Sequence, residues 1–151
     1  NGGHSRRQLE FLRSKLMGPS SPGMPERIYI SREDSQNGRR LTNEAELFER
    51  LEGLGFVRVV LSRLSHAQQV GLFTSAKIIV GVQGAGMVNH IFAPEDAHVI
   101  ELHPRSYTNR AHFFTTNALD QTYQFVICDE DLMGSLTAPI SRVIRCVERV
   151  L

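Results

Sequence analysis

Short β-branched runs alternating with amphipathic helical stretches predict an α/β fold: a Rossmann-like three-layer sandwich around a parallel sheet of about five strands. RIYIS (Arg27–Ser31), FVRVVL (Phe56–Leu61), KIIVGV (Lys77–Val82), HVIEL (His98–Leu102) and YQFVIC (Tyr123–Cys128) read as the strands. Several are continuously apolar, as strands are when helices cover both faces of a sheet. The length of 151 residues suits a single core. Right-handed crossovers then give a doubly wound sheet with expected strand order 3-2-1-4-5.

The elements follow in order. Ser5–Leu16 sets Leu9, Leu12 and Leu16 on one helical face. Gly18–Pro25 (GPSSPGMP) has turn composition, which divides the chain into an N-terminal helix and linker, 1–25, and a domain, 26–151. A polar loop after the first strand leads to the helix Asn43–Gly55, where Asn43 and Glu46 form a capping box and Gly53 or Gly55 ends it. Ser65 and Gln68 form a second capping box, opening HAQQVGLFTSA. A glycine turn follows the third strand and starts a short helix that Pro94 limits. Thr108–Asp120 and Pro139–Leu151 complete the helices.

Composition narrows the partners. Lys and Arg number 17 against 16 Asp and Glu, so the charge of +1 offers no general attraction to nucleic acid or an acidic membrane. Any anion binding must be local. No apolar run approaches the ~20 residues of a membrane span. Cys128 and Cys146 lack metal-ligand spacing and read as buried thiols. The start, NGGHSRRQLEF, has neither signal- nor transit-peptide character and no initiating Met, as expected of a piece of a longer protein.

Ligands of a doubly wound sheet sit beyond the carboxyl ends of its strands. Gly84-Ala85-Gly86 is placed there, where bare backbone N–H groups at a helix start favour a phosphate or diphosphate. GAGMVN also approximates G-x-G-x-x-G with Asn89 at the third glycine, and Glu101 ends the next strand as a ribose-binding acid would, so a dinucleotide-binding oxidoreductase is one alternative. After the first strand, Arg32 can present a planar fork of donors to a diphosphate, while Arg39 and Arg40 share a loop with Glu33 and Asp34. Asp129 and Asp131 make an Asp-x-Asp pair that reads as an acidic turn, so no metal is expected. Among six histidines, His103 beside Glu101 is the weak catalytic candidate. No G-x-S-x-G elbow is present.

Taken together, RIYISR, RRLTNEAELFERLEGLGF, LSHAQQVGLFTSAKIIVGVQGAGMVNHIF and HVIELHP resemble the glycosyltransferase family 61 domain, from about Arg27 to Pro104. The resemblance implies the C-terminal half of a GT-B-like enzyme that binds a nucleotide sugar, such as a UDP-linked one, and transfers with inversion without a metal or other cofactor. It carries over Arg32 and Arg40 in the first loop, Asn43 and Glu44 at the first helix, Gly84, Ala85, Gly86 and Asn89 in the glycine turn, and Glu101. The family's turn begins with histidine, and Gln83 stands there instead; it can hydrogen-bond a ligand but carries no proton, which makes it only a weak catalytic candidate. The glycan or protein acceptor would be held by an N-terminal half missing from this chain. The compartment would be cytoplasmic for a bacterial parent and the secretory lumen for a eukaryotic one. A non-catalytic Rossmann-like interaction module with a degraded nucleotide site is the other alternative.

Overall fold

The computed structural model describes residues 5–18, 23–35 and 39–151. Residues 19–22 of the Gly18–Pro25 linker and Gly38 lie outside the described residues. The elements are α1 (Arg6–Leu16), β1 (Arg27–Ile30), α2 (Glu44–Glu52), β2 (Val57–Val59), α3 (His66–Ser75), β3 (Ile78–Val82), β4 (His98–Pro104), α4 (Ala111–Ala118), β5 (Thr122–Glu130), β6 (Leu136–Thr137) and α5 (Ile140–Glu148). Short 3₁₀ helices span Leu61–Arg63 and Ala85–Phe92.

The α/β class holds, but the expected strand order does not. The sheet runs β2-β1-β3-β4-β5-β6, parallel except for β6, which pairs antiparallel with β5. The reason lies in β2, three residues long with Arg58 at its centre and two of its three side chains exposed. A central parallel strand is covered on both faces, so this one belongs at the edge. By contrast β3, IIVGV, is buried throughout and takes the middle. Consequently the order reverses between β1 and β3, and the loops after these two strands meet at one rim.

Two apolar layers sandwich the sheet. Tyr29, Val80, Ile100 and Leu102 face α2 and α5 through Leu47, Leu51, Val143 and Val147. Ile28, Ile30, Ile79 and Val99 face the other side, where Phe73 of α3, Met87 and Ile91 of the second 3₁₀ helix, and Leu9 of α1 cover them. Full burial of each such side chain stabilises the fold by about 1.5–3 kcal/mol. Helix α1 is seated on this layer, with Arg6 paired to Glu95 and Asp120. Cys128 is buried and its thiol is pushed up to about 12 by that burial, whereas Cys146 is only half-buried, contrary to expectation.

The Ser65–Gln68 capping box forms as expected, and Gly55 takes the positive φ of 81° after α2. Asn43 makes no side-chain cap. Its amide instead donates to the Ala138 carbonyl and accepts from the Ala138 N–H, both at 2.9 Å, tying α2 to the segment before α5. Beside it, Glu44 accepts from the buried Tyr29 hydroxyl at 3.0 Å. Replacing Asn43 with Ser, a good helix cap, should therefore destabilise the chain about as much as Asn43→Ala, by roughly 1–3 kcal/mol in urea unfolding. A serine variant that kept wild-type stability would return Asn43 to a capping role.

Candidate functional site

Parallel pairing of Ile30 with Gly81 brings the end of β1 beside the end of β3. Gly81 is required at that crossing, since a Cβ there would lie 2.7 Å from Met87 Sδ and 3.1 Å from Ile30 Cβ. Above it the chain leaves the sheet through Gln83 and Gly84 into the 3₁₀ helix. A cleft of about 210 Å³ opens here, lined by Ser31, Arg32, Asp34, Ser35, Leu61, Ala85, Gly86 and Met87 among others.

Gly84 is extended, with φ 164°, so its backbone conformation is open to any residue. What glycine leaves here is space: a Cβ at Gly84 would stand 1.9 Å from Arg32 Nη1 and the guanidinium would have to move. The guanidinium occupies the volume of the absent side chain and donates to the Gln83 carbonyl at 3.2 Å and to Ser35 Oγ at 3.0 Å. Its Nε is buried without a partner among the described residues. Arg39, in the left-handed region at φ 58°, reaches the same place and donates to Gln83 Oε1 at 2.6 Å. Two guanidiniums thus converge on one residue.

Neither forms an ion pair with a carboxylate among the described residues, although the charge of Asp34 acts on Arg32. Glu33 is engaged elsewhere, accepting from Arg58 and Arg63 at 2.6 Å each. Burial, then the nearby charge of Arg39, hold Arg32 below the usual guanidinium range, with Asp34 offsetting part of this. The N–H groups of Ala85 and Gly86 also find no acceptor among the described residues. Arg32 and the Ala85 and Gly86 N–H groups therefore border a small cleft whose acidic lining residue is Asp34.

The other sequence candidates scatter around this rim. Arg40 turns away and donates to the Glu33 carbonyl. Asn43 and Glu44 serve the α2 junction described above. Asn89 donates to Gln69 Oε1 at 3.0 Å, fastening the 3₁₀ helix to α3. Gln83 is 5% exposed. Asp129 pairs with Arg105, and Asp131 accepts from the backbone of its own turn at Met133 and Ser135. Sequence reasoning placed Arg39 in this loop after Gly38 but ranked it below Arg32 as a diphosphate ligand; here it joins Arg32 at Gln83.

Glu101 lies fully buried under the neighbouring strands. His112 Nδ1 reaches its Oε1 at 2.7 Å, while Tyr123 OH at 2.7 Å and His103 Nε2 at 3.1 Å meet Oε2. Burial alone would raise this carboxyl, but the hydrogen bonds from His103, His112 and Tyr123 outweigh it and hold it down at about 2. As an ionised acceptor it requires the facing ring nitrogens to carry protons. His90 sits one layer further in, its Nδ1 2.8 Å from Gln121 Oε1 and its Nε2 2.8 Å from Thr115 Oγ1. Gln121 Nε2 donates to the carbonyls of His90, Ala93 and Pro94, so its oxygen must accept from Nδ1–H. The neutral ring thereby locks the 3₁₀ helix to α4.

A doubly wound α/β domain with a cationic, glycine-walled rim at its switch point is the class of molecule so far. The glycosyltransferase 61 family model matches residues 1–100, and the chain belongs to that family. It is 32% identical to an EGF domain-specific O-linked N-acetylglucosamine transferase of Drosophila melanogaster over 108 residues, 68% of this chain and 20% of that protein. With a beta-1,2-xylosyltransferase of Oryza sativa subsp. japonica it shares 22% identity over 121 residues, 70% of this chain and 22% of the relative. The chain thus spans about a fifth of the length of these relatives.

The two buried titrations separate by pH. Burial lowers His90 from 6.5 to about 4, so only the unfolded chain binds this proton between those values. Its contribution is constant above pH 6.5 and falls as pH drops toward 4, by about 3 kcal/mol. The Glu101 contribution persists above 4.5 and is lost as pH falls toward 2. Urea midpoints between pH 7 and 4.5 should decline in wild type and stay flatter in His90→Gln, which starts lower. Parallel slopes in the two proteins would contradict this assignment.

Proposed function

We propose that this chain is the part of a family 61 glycosyltransferase that holds the diphosphate of a nucleotide-sugar donor, with UDP as the test ligand. The observation that carries the proposal is the convergence of Arg32 and Arg39 on Gln83, over the space left by Gly84 and without a carboxylate partner among the described residues. Two adjacent cations repel one another and favour an anion between them. Guanidinium forks suit phosphate oxygens, and the bare N–H groups at Ala85 and Gly86 add neutral donors.

In this proposal an acceptor hydroxyl attacks the donor's anomeric carbon from the face opposite the nucleotide. The bond from that carbon to the β-phosphate oxygen breaks, inverting the centre, and a base removes the hydroxyl proton. Negative charge grows on the departing diphosphate, where Arg32 and Arg39 stabilise it in place of a divalent ion. The relatives named above transfer N-acetylglucosamine or xylose, so a glycan or protein hydroxyl is the matching acceptor class. A facing half in a GT-B-like arrangement would supply the acceptor site and the base.

Gln83 favours a second reading, a donor-binding domain without turnover. Its carboxamide carries no proton to transfer and already accepts from Arg39. Hydrolysis of a UDP-sugar by the chain would contradict that reading.

Calorimetric titration with UDP should give saturable binding that weakens roughly ten- to hundredfold in Arg32→Ala, in line with about 1.5–3 kcal/mol for a charged hydrogen bond. Gly84→Ala should weaken it similarly, because the new Cβ would stand 1.9 Å from Arg32 Nη1 and displace the guanidinium. Absence of binding, or affinity indifferent to both substitutions, would overturn the proposal.

A further inference from the structure

Arg39 keeps an uncommon backbone conformation. Its φ of 58° lies in the left-handed region, which a residue with a side chain holds only where its surroundings impose it. Three segments do so. The turn between β5 and β6 takes its N–H, donated to the Gly134 carbonyl at 2.9 Å. Gln83 Oε1, just past β3, accepts from its Nη1 at 2.6 Å. The loop between β4 and α4 supplies the third contact, the ring of Tyr107, whose centroid lies 5.4 Å from the guanidinium carbon.

Tyr107 is 48% exposed, so burial of its own ring does not account for its place. A cation this close to a ring centroid is attracted to the π face. A carboxylate would fix Arg39 by neutralising it and occupying its N–H groups. A ring stacks on the guanidinium plane instead, leaving the charge and the in-plane donors available. Nε and Nη2 of Arg39 meet no acceptor among the described residues. The Tyr107 hydroxyl in turn accepts from Asn109 Nδ2 at 3.2 Å, which orients the ring.

The acidic segment Asp129–Asp131 frames both contacts. Arg105 pairs with Asp129 at 3.0 Å, and the Ser106 N–H donates to the Glu130 carboxylate at 3.0 Å. The two residues before Tyr107 are thereby tied to the end of β5. Asp131 accepts from the N–H groups of Met133 and Ser135, at 2.8 and 2.9 Å, and so shapes the turn that presents the Gly134 carbonyl to Arg39. Tyr107 and this acidic segment lie beyond residues 1–100, the stretch matched by the family model.

We propose that Tyr107 is a positioning residue for Arg39: its π face holds the guanidinium at Gln83 while leaving charge and edge donors for an anion. The ligand follows from the diphosphate reading, on which this inference rests, but the stacking is a property of the free chain.

Arginine side-chain NMR of the ligand-free chain reads the stacking, and calorimetry with UDP reads its effect. The ring should move the Arg39 δ-proton resonances upfield in wild type and in Tyr107→Phe. That shift should vanish in Tyr107→Leu, which keeps apolar bulk without a π face. UDP affinity should fall roughly two- to fivefold in Tyr107→Leu, as for an exposed cation–π contact, and recover in Tyr107→Phe. In an Arg39→Ala background Tyr107→Leu should weaken binding no further, a coupling that a merely structural role would not produce. A wild-type chain that binds no UDP would strike the diphosphate reading, and the spectra alone would then decide whether Tyr107 holds Arg39. Arg39 resonances indifferent to Tyr107→Leu, or an equal loss of affinity with and without Arg39, would overturn the proposal.

Discussion

The parallel pairing of Ile30 with Gly81 sets the geometry on which the rim depends. It makes β1 and β3 neighbours while their next partners lie in opposite directions, so the two following loops face each other across the reversal. A side chain at Gly81 would collide with Met87 and Ile30, lifting the 3₁₀ helix from the sheet. One step on, a side chain at Gly84 would collide with Arg32. The two glycines thus do different work: the first seats the helix, and the second leaves room for a cation.

Electrostatics around this point are divided by position. Glu33 serves Arg58 and Arg63 toward the β2 edge, which leaves Arg32 and Arg39 to meet at Gln83. On the other side of β3 the buried Glu101 gathers three donors from β4, β5 and α4. Breaking a buried charge network is costly because the remaining groups stay buried and unpaired. The sheet therefore carries positive charge at its rim and a satisfied negative charge beneath it.

Much of the fold was legible in the sequence because its strands are short apolar runs bounded by polar loops. Strand order was not, since the decisive fact is a single Arg58 in β2, which marks an edge strand only when burial is compared across the sheet. The two-residue β6 has no periodicity to detect. At the site, the glycine turn and Arg32 could be picked out by residue type and position. The partnership of Arg32 with Arg39 could not, because it depends on Glu33 turning outward. Asn43 illustrates the same limit: its spacing to Glu46 suggested a cap, while a long-range partner, Ala138, holds its amide.

The central claim is that the Arg32–Arg39 pair above Gly84 receives a diphosphate. A crystal structure of the chain with UDP tests it most directly. The proposed site predicts phosphate oxygens within hydrogen-bonding distance of both guanidiniums and of the Ala85 and Gly86 N–H groups. UDP bound elsewhere, with Arg32 and Arg39 still donating to Gln83, would contradict it.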